Sequence, residues 1–136
     1  MRVLITGATG LLGRALISQN EGKHKLICCV HKTKLENKLH KVRVAELDIT
    51  NKENVDELMQ KFLPEVLIHT ASIGNVDYCE KYQSEAHQVN VVGTENLLNA
   101  AKKGDCHFVF LSSNAVFDGL SAPYDEHSKL APVNYY

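Results

Sequence analysis

No charge of either sign dominates the 136 residues: 15 Lys and Arg stand against 16 Asp and Glu, a formal charge of -1. That balance gives no broad electrostatic footprint for nucleic acid or for an anionic membrane. Long apolar runs are also missing. None approaches the roughly 20 residues of a spanning helix, and the N-terminus lacks the basic, apolar and small-residue segments of a signal peptide, so a soluble, cytoplasmic protein is expected. Cysteine is sparse and scattered, at Cys28, Cys29, Cys79 and Cys106. Without a C-x-x-C pair, neither a disulfide framework nor a zinc knuckle is indicated, and reduced thiols packing as small hydrophobes are expected. The seven histidines show no H-E-x-x-H or paired helical spacing, so no metal site is expected.

What remains is close to the globular average, with 44% hydrophobic and 23% charged residues, which excludes collagen-like and disordered readings. The length suits one domain able to bury a core without staples. Arg2-Val3-Leu4-Ile5-Thr6 reads as a buried strand ending in a glycine cluster. A helix over 11–19 follows, with Leu12, Ala15 and Leu16 at helical spacing and Gly22 placed for a left-handed stop. Further strands are predicted at 25–30, 42–47, 66–69 and 107–111. The crossover 31–41 has room for no more than a short helical piece. Thr50 and Glu53 stand as in a capping box ahead of a helical face of Val55, Leu58, Met59 and Phe62 that ends before Pro64.

Residues 70–82 read as a loop with Gly74 and Asn75 as turn residues. Ala86, Val89, Gly93, Leu97, Ala100 and Ala101 then mark one stripe of a long helix over 84–103, stopped by Gly104. Beyond Asn114 the chain turns loop-like, with Gly119, Pro123 and Pro132 as breakers. Strands alternating with helices, each strand nearly continuous in apolar residues, predict an α/β fold. Right-handed crossovers give a doubly wound parallel sheet of five strands, ordered 3-2-1-4-5, with its ligand crevice at the carboxyl ends of strands one and four, the arrangement of a Rossmann-like fold; the glycine cluster after strand one makes it an NAD(P)-binding one.

Three of the eight glycines fall in one heptapeptide, Gly7-Ala8-Thr9-Gly10-Leu11-Leu12-Gly13, between the first strand and the first helix. This G-x-x-G-x-x-G spacing allows a tight turn and a close backbone approach, and leaves helix N–H groups free to meet a pyrophosphate. A dinucleotide fold usually carries an acid after its second strand for the ribose hydroxyls. Here His31, Lys32 and Lys34 take that place. They favour the 2′-phosphate of NADP(H) over NAD(H), unless they are ordinary solvated charges. Asp48 and Ile49 follow the third strand, where an adenine would rest: Asp48 either accepts from the exocyclic amine with Ile49 on the ring face, or merely starts the next helix. Ser112 and Ser113 close the fifth strand at the ligand edge, where a hydroxyl either binds a substrate carbonyl or caps a turn. Tyr136 is a proton-donor candidate if something lowers its phenol below the ordinary value near 10.

The segments TGATGLLG, VDYCE, VNVVGTENLLNAA, FVFLSSNAVFDG and APVNYY together resemble the extended short-chain dehydrogenase/reductase superfamily. VFDG, PYDE and APVNYY are most similar to its dTDP-4-dehydrorhamnose reductase branch, which also includes the regulatory beta subunit of methionine adenosyltransferase. The resemblance implies that Gly7, Gly10 and Gly13, with Thr9, Leu11 and Leu12 between them, hold the pyrophosphate. It places Thr70, Ala71 and Ser72 along the cofactor and matches Asn90 to the asparagine of the VN-x-x-GT motif. It makes Ser113 and Tyr136 the catalytic serine and tyrosine.

By the same resemblance the intact protein is expected to be a reductase of a nucleotide-linked 4-keto sugar, possible as a homodimer. The alternatives are a non-catalytic dinucleotide-binding subunit, or a sugar-nucleotide epimerase or dehydratase. The family's tyrosine belongs to Y-x-x-x-K, whose lysine lowers the phenol pKa. Residues 1–136 are therefore expected to be the cofactor-binding part, short of the sixth strand and the substrate-binding region and a poor catalyst alone.

Overall fold

A computed structural model describes residues 1–35 and 42–136. Five strands, β1 (Arg2–Thr6), β2 (Lys25–Val30), β3 (Val42–Glu46), β4 (Val66–His69) and β5 (His107–Phe110), form one parallel sheet in the order β3-β2-β1-β4-β5. Both order and direction agree with the reading from the sequence. Residues 36–41, within the crossover read as having room for a short helical piece, lie outside the described residues.

Alternation along the central strand sorts its side chains to two faces. Leu4 joins Ile27, Leu47 and Leu67 on one face, against α2 (Lys52–Phe62) and α5 (Gly93–Lys103) through Val55, Leu58, Met59, Leu97 and Ala100. Val3 and Ile5 join Leu26 and Cys28 on the other, against Ile17 of α1 (Leu11–Gln19). Each such apolar side chain, fully buried, contributes about 1.5–3 kcal/mol. The cysteines do pack as small hydrophobes: all four are buried and unpaired, and burial pushes the thiols of Cys28 and Cys29 up to about 11 and about 12.

Several local expectations are corrected. Along α1 Gly13 and Ile17 are buried and Leu16 packs half-buried against the core, whereas Leu12 and Ala15 are exposed. Thr50 does not cap α2: its hydroxyl is committed to Asp48 Oδ1 at 2.7 Å, and Asn51 caps instead, its side chain accepting from Asn54 N at 2.9 Å. The supposed loop over 70–82 contains α3 (Val76–Lys81), since Asn75 uses its side chain as a helix cap, accepting from Tyr78 N at 2.8 Å.

The long helix keeps its buried stripe but is divided. A short α4 (Gln83–His87) runs through a π turn (Gln88–Val92), where Gly93 N donates to Gln88 O, into α5. β3 and β5 each end one residue early, although Leu47 N still donates to Val30 O at 2.8 Å. Past β5 the chain forms a 3₁₀ turn (Asn114–Val116) and a cross-linked loop, with Ala131 N bonded to Val116 O at 2.9 Å and Phe117 stacked on Tyr124 at 4.4 Å.

Candidate functional site

The carboxyl ends of the strands open onto two cavities. The larger, about 980 Å³, lies over β1, β2 and β3 and is lined by Thr6, Gly7, Thr9, Gly10, His31, Lys32, Asp48 and Ile49. The smaller, about 450 Å³, lies toward β5 and is lined by Leu12, His69, Asn90, Ser112, Ser113, Asn134 and Tyr136. Thr70, Ala71 and Ser72 line both. They form the wall between the two spaces.

The glycine turn is built by close contact. Gly7 has φ +66°, and Gly10 N donates to Gly7 O at 2.9 Å, closing the turn that leads into α1. A Cβ on Gly7 would lie 2.7 Å from backbone atoms of Thr70 and Ala71; one on Gly13 would lie 2.4 Å from Gly7 O. Only hydrogen fits at either position. The start of α1 has neither a side-chain cap nor an acidic residue in its first turn, whereas α2 and α3 have both. Its N–H groups and the positive end of its dipole therefore remain free for an anion. Gly13 lies behind this turn, and Leu11 is 93% exposed and lines neither cavity.

On the far rim, Asp48 Oδ1 accepts from Thr50 Oγ1 at 2.7 Å and from Thr50 N at 2.9 Å. Asp48 Oδ2 stands 4.0 Å from His31 Nε2. The Thr50 hydroxyl chiefly, then its amide and the nearby His31 and Lys32, hold the Asp48 carboxyl below its ordinary value, so it is a carboxylate at neutral pH. Asp48 thus shapes the turn ahead of α2 while one oxygen still faces the cavity. The Ile49 side chain is buried against Gly93, where a Cβ would meet its Cδ1 at 2.7 Å, and part of the residue reaches the cavity wall. Lys34 is exposed outside the lining.

Asn90 is fully engaged: its Oδ1 accepts from Ile73 N at 2.8 Å and its Nδ2 donates to Ile73 O at 3.1 Å. It acts on the cavities by clamping the chain that leaves β4. Ser113 is half-buried and does cap the 3₁₀ turn, accepting from Ala115 N at 3.1 Å, while its own hydrogen has only Asn114 Oδ1 at 3.5 Å. That hydroxyl remains available as a donor. Tyr135 N bonds Glu80 Oε1 of α3, which brings Tyr136 to the mouth of the smaller cavity.

Other lining residues went unnoticed in the sequence. Tyr82, Gln83, Ser84 and Gln88 wall the larger cavity; the last residue of the segment read as loop and the start of the helix read after it supply them. Asn134 Oδ1, within the APVNYY segment, is buried with no hydrogen-bond partner among the described residues and lines the smaller cavity with Tyr136. His69, at the end of an apolar strand, was the visible signal for a polar network beneath the site. Among the described residues no group of His, Cys, Asp and Glu could hold a metal, and no helix is long and apolar enough to cross a membrane.

A doubly wound parallel sheet with a glycine turn at its switch point defines the Rossmann-like class of α/β folds. Within that class the chain belongs to the family described as RmlD substrate binding domain, which it matches over residues 1–136. It is 37% identical to methionine adenosyltransferase 2 subunit beta of Xenopus laevis over 99% of this chain and 39% of the relative. It is 34% identical to dTDP-4-dehydrorhamnose reductase of Aggregatibacter actinomycetemcomitans over 99% of this chain and 42% of the relative. The chain thus spans about two fifths of the length of these relatives. The solved structure of the Bordetella bronchiseptica enzyme WbmG in complex with NAD and UDP shares the fold, with a TM-score of 0.86 and 23% identity over 100% of this chain and 45% of that one.

Proposed function

We propose that this chain is the cofactor-binding part of an NAD(P)H-dependent reductase of a nucleotide-linked 4-keto sugar, like dTDP-4-dehydrorhamnose reductase. The observation that carries the reading is the pair of cavities divided by Thr70–Ser72, one with the glycine cradle and the other with Ser113 and Tyr136. The residues fit a dinucleotide: Gly7 and Gly13 are cradle positions that a Cβ would fill, and the uncapped start of α1 suits a pyrophosphate. When bound, the cofactor supplies hydride to the substrate carbonyl carbon. Ser113 donates a hydrogen bond to the carbonyl oxygen, and Tyr136 delivers the proton to that oxygen as negative charge develops there. The 34% identity to a dTDP-4-dehydrorhamnose reductase supports a nucleotide-sugar partner beside the dinucleotide.

His31 and Lys32 at the rim of the larger cavity favour the 2′-phosphate of NADP(H). NADPH is therefore expected to bind more tightly than NADH in a fluorescence titration, and a His31→Ala, Lys32→Ala double variant to lose that difference. Equal affinities in the unaltered protein remove the basis of the preference. A steady-state assay of the intact protein with NADPH and dTDP-4-dehydrorhamnose tests the activity itself. Tight cofactor binding without turnover favours the second reading, a non-catalytic regulatory subunit, which the 37% identity to a methionine adenosyltransferase beta subunit supports. NAD retained through purification, with no net oxidation, favours an epimerase or dehydratase.

A further inference from the structure

A continuous chain of hydrogen bonds runs beneath the wall between the two cavities. Thr6 Oγ1, at the end of β1, accepts from Thr70 N at 3.2 Å and Ala71 N at 3.3 Å, and lies 2.7 Å from His69 Nδ1. On the other side of the ring, His69 Nε2 lies 2.9 Å from Thr94 Oγ1, which donates to Asn90 O at 2.7 Å. His69 is only 3% exposed.

The proton order of this chain follows from either end. A threonine hydroxyl has one hydrogen and two acceptor positions. Two amides occupy the acceptor positions of Thr6, so its hydrogen points to His69 Nδ1, which must be unprotonated. From the other end, Thr94 gives its hydrogen to Asn90 O, so it must accept from His69 Nε2–H. Both routes require the same neutral tautomer, with the proton on Nε2. Burial agrees, pushing the imidazole down to about 4 and so keeping it uncharged at neutral pH.

The two ends of the chain are the parts of the site that need registration. One end fixes the amides of Thr70 and Ala71, in the wall shared by both cavities. The other reaches Asn90 in the π turn, a feature that often marks functional positions, and Asn90 in turn clamps Ile73. We propose that His69 is a positioning residue for the dinucleotide: as the Nε2–H tautomer it ties the glycine-turn end of β1 to the Asn90 turn and so sets the wall on which the nicotinamide half lies. This rests on the dinucleotide reading above. His69 lines the smaller cavity and not the larger, so its influence falls on the nicotinamide half and spares the adenine half.

The test uses the intact chain with two probes, NADPH and adenosine 2′,5′-bisphosphate, together with imidazole nitrogen NMR. The unaltered protein is expected to show His69 protonated at Nε2 and bare at Nδ1 at pH 7. His69→Phe removes both bonds and is expected to weaken NADPH about tenfold, while the adenosine probe stays within about twofold. His69→Gln, which keeps a donor near the Nε2 position, is expected to restore most of the loss. Equal losses for both probes, or unchanged NADPH affinity in His69→Phe, overturn the proposal, as does a proton found on Nδ1. If His69→Phe does not fold, the wild-type spectrum and the Gln variant decide. An unaltered protein that binds neither probe sinks the dinucleotide reading itself, and this proposal with it.

Discussion

Replacing Gly13 with alanine isolates the packing of the glycine turn from its chemistry. The new Cβ would lie 2.4 Å from Gly7 O, 2.7 Å from Ala8 Cα and 3.0 Å from the Ala8 carbonyl carbon. All three are backbone atoms, and Ala8 is itself fully buried, so no side chain can rotate away. Overpacking of this kind costs about 1–3 kcal/mol, and the upper part of that range applies where only backbone can yield. Opposing it, alanine in a helix gains about 1 kcal/mol over glycine. The net is a destabilisation of about 1–2 kcal/mol. For a chain of this length that lowers the melting temperature by about 3–10 °C.

The displaced atom is the carbonyl that closes the turn from Gly7 to Gly10, so dinucleotide affinity is expected to fall as well. Thermal melting by circular dichroism, followed by an NADPH titration, measures both. Gly74→Ala is the control, because a Cβ there meets nothing within 4 Å, and its change in stability is expected to stay within about 0.5 kcal/mol. If Gly13→Ala melts with Gly74→Ala and binds NADPH normally, the close-packed cradle is refuted.

Three further outcomes are expected. His69 sits at about 4 in the fold against an ordinary 6.5, so below pH 6.5 the unfolded chain gains a proton that the folded chain refuses until about pH 4. Its contribution is complete above pH 6.5 and lost as the pH falls toward 4, to a total of about 3 kcal/mol; urea unfolding from pH 7 to 4.5 should show this slope, and His69→Phe should lack it, whereas parallel curves would falsify the assignment. Asn51→Ala should cost about 1 kcal/mol through loss of the α2 cap, while Thr50→Val should instead release Asp48 and raise its carboxyl pKa toward the ordinary value, readable by carboxyl NMR; a larger stability loss at Thr50 than at Asn51 would restore the sequence-based capping box.

The elements legible in the sequence are those whose pattern is set by burial. Runs such as Val3-Leu4-Ile5 and the stripe through Ala86, Gly93, Leu97 and Ala101 exist because a face must be covered, and that requirement is written as periodicity. Choices between neighbouring polar residues were less legible. Thr50 and Asn51 are both good caps, and which one caps depends on Asp48 having already claimed the threonine. Asn75 serves turns and helix caps with the same side chain, so α3 was hidden behind it. The π turn has no pattern of its own: its stripe reads as ordinary helix, and only the Gly93-to-Gln88 bond reveals the extra residue.

At the site, the glycine spacing was visible because only glycine satisfies the contacts around Gly13. The same spacing implied the free N–H groups of α1, which the structure leaves without a capping side chain. The engagement of Asn90 with Ile73 and the ring of His69 between two threonines depend on segments apart in sequence. No window along the chain displays them.

The place of β1 at the centre of the sheet also sets the order in which the molecule can assemble during synthesis. One edge of β1 pairs with β2, from Arg2 opposite Lys25, but its other edge pairs with β4, from Val3 opposite Val66. At about 5–20 residues per second, the ribosome takes several seconds between completing β2 and starting β4. Through that interval β1 exposes an apolar, unpaired edge, a template for another nascent chain. The partner that closes this edge must arrive across a long crossover, a slow, non-local step. β1 is therefore the strand most dependent on later sequence, and substitutions in β4 should reduce soluble yield more than equal losses of stability on the sheet's outer strands.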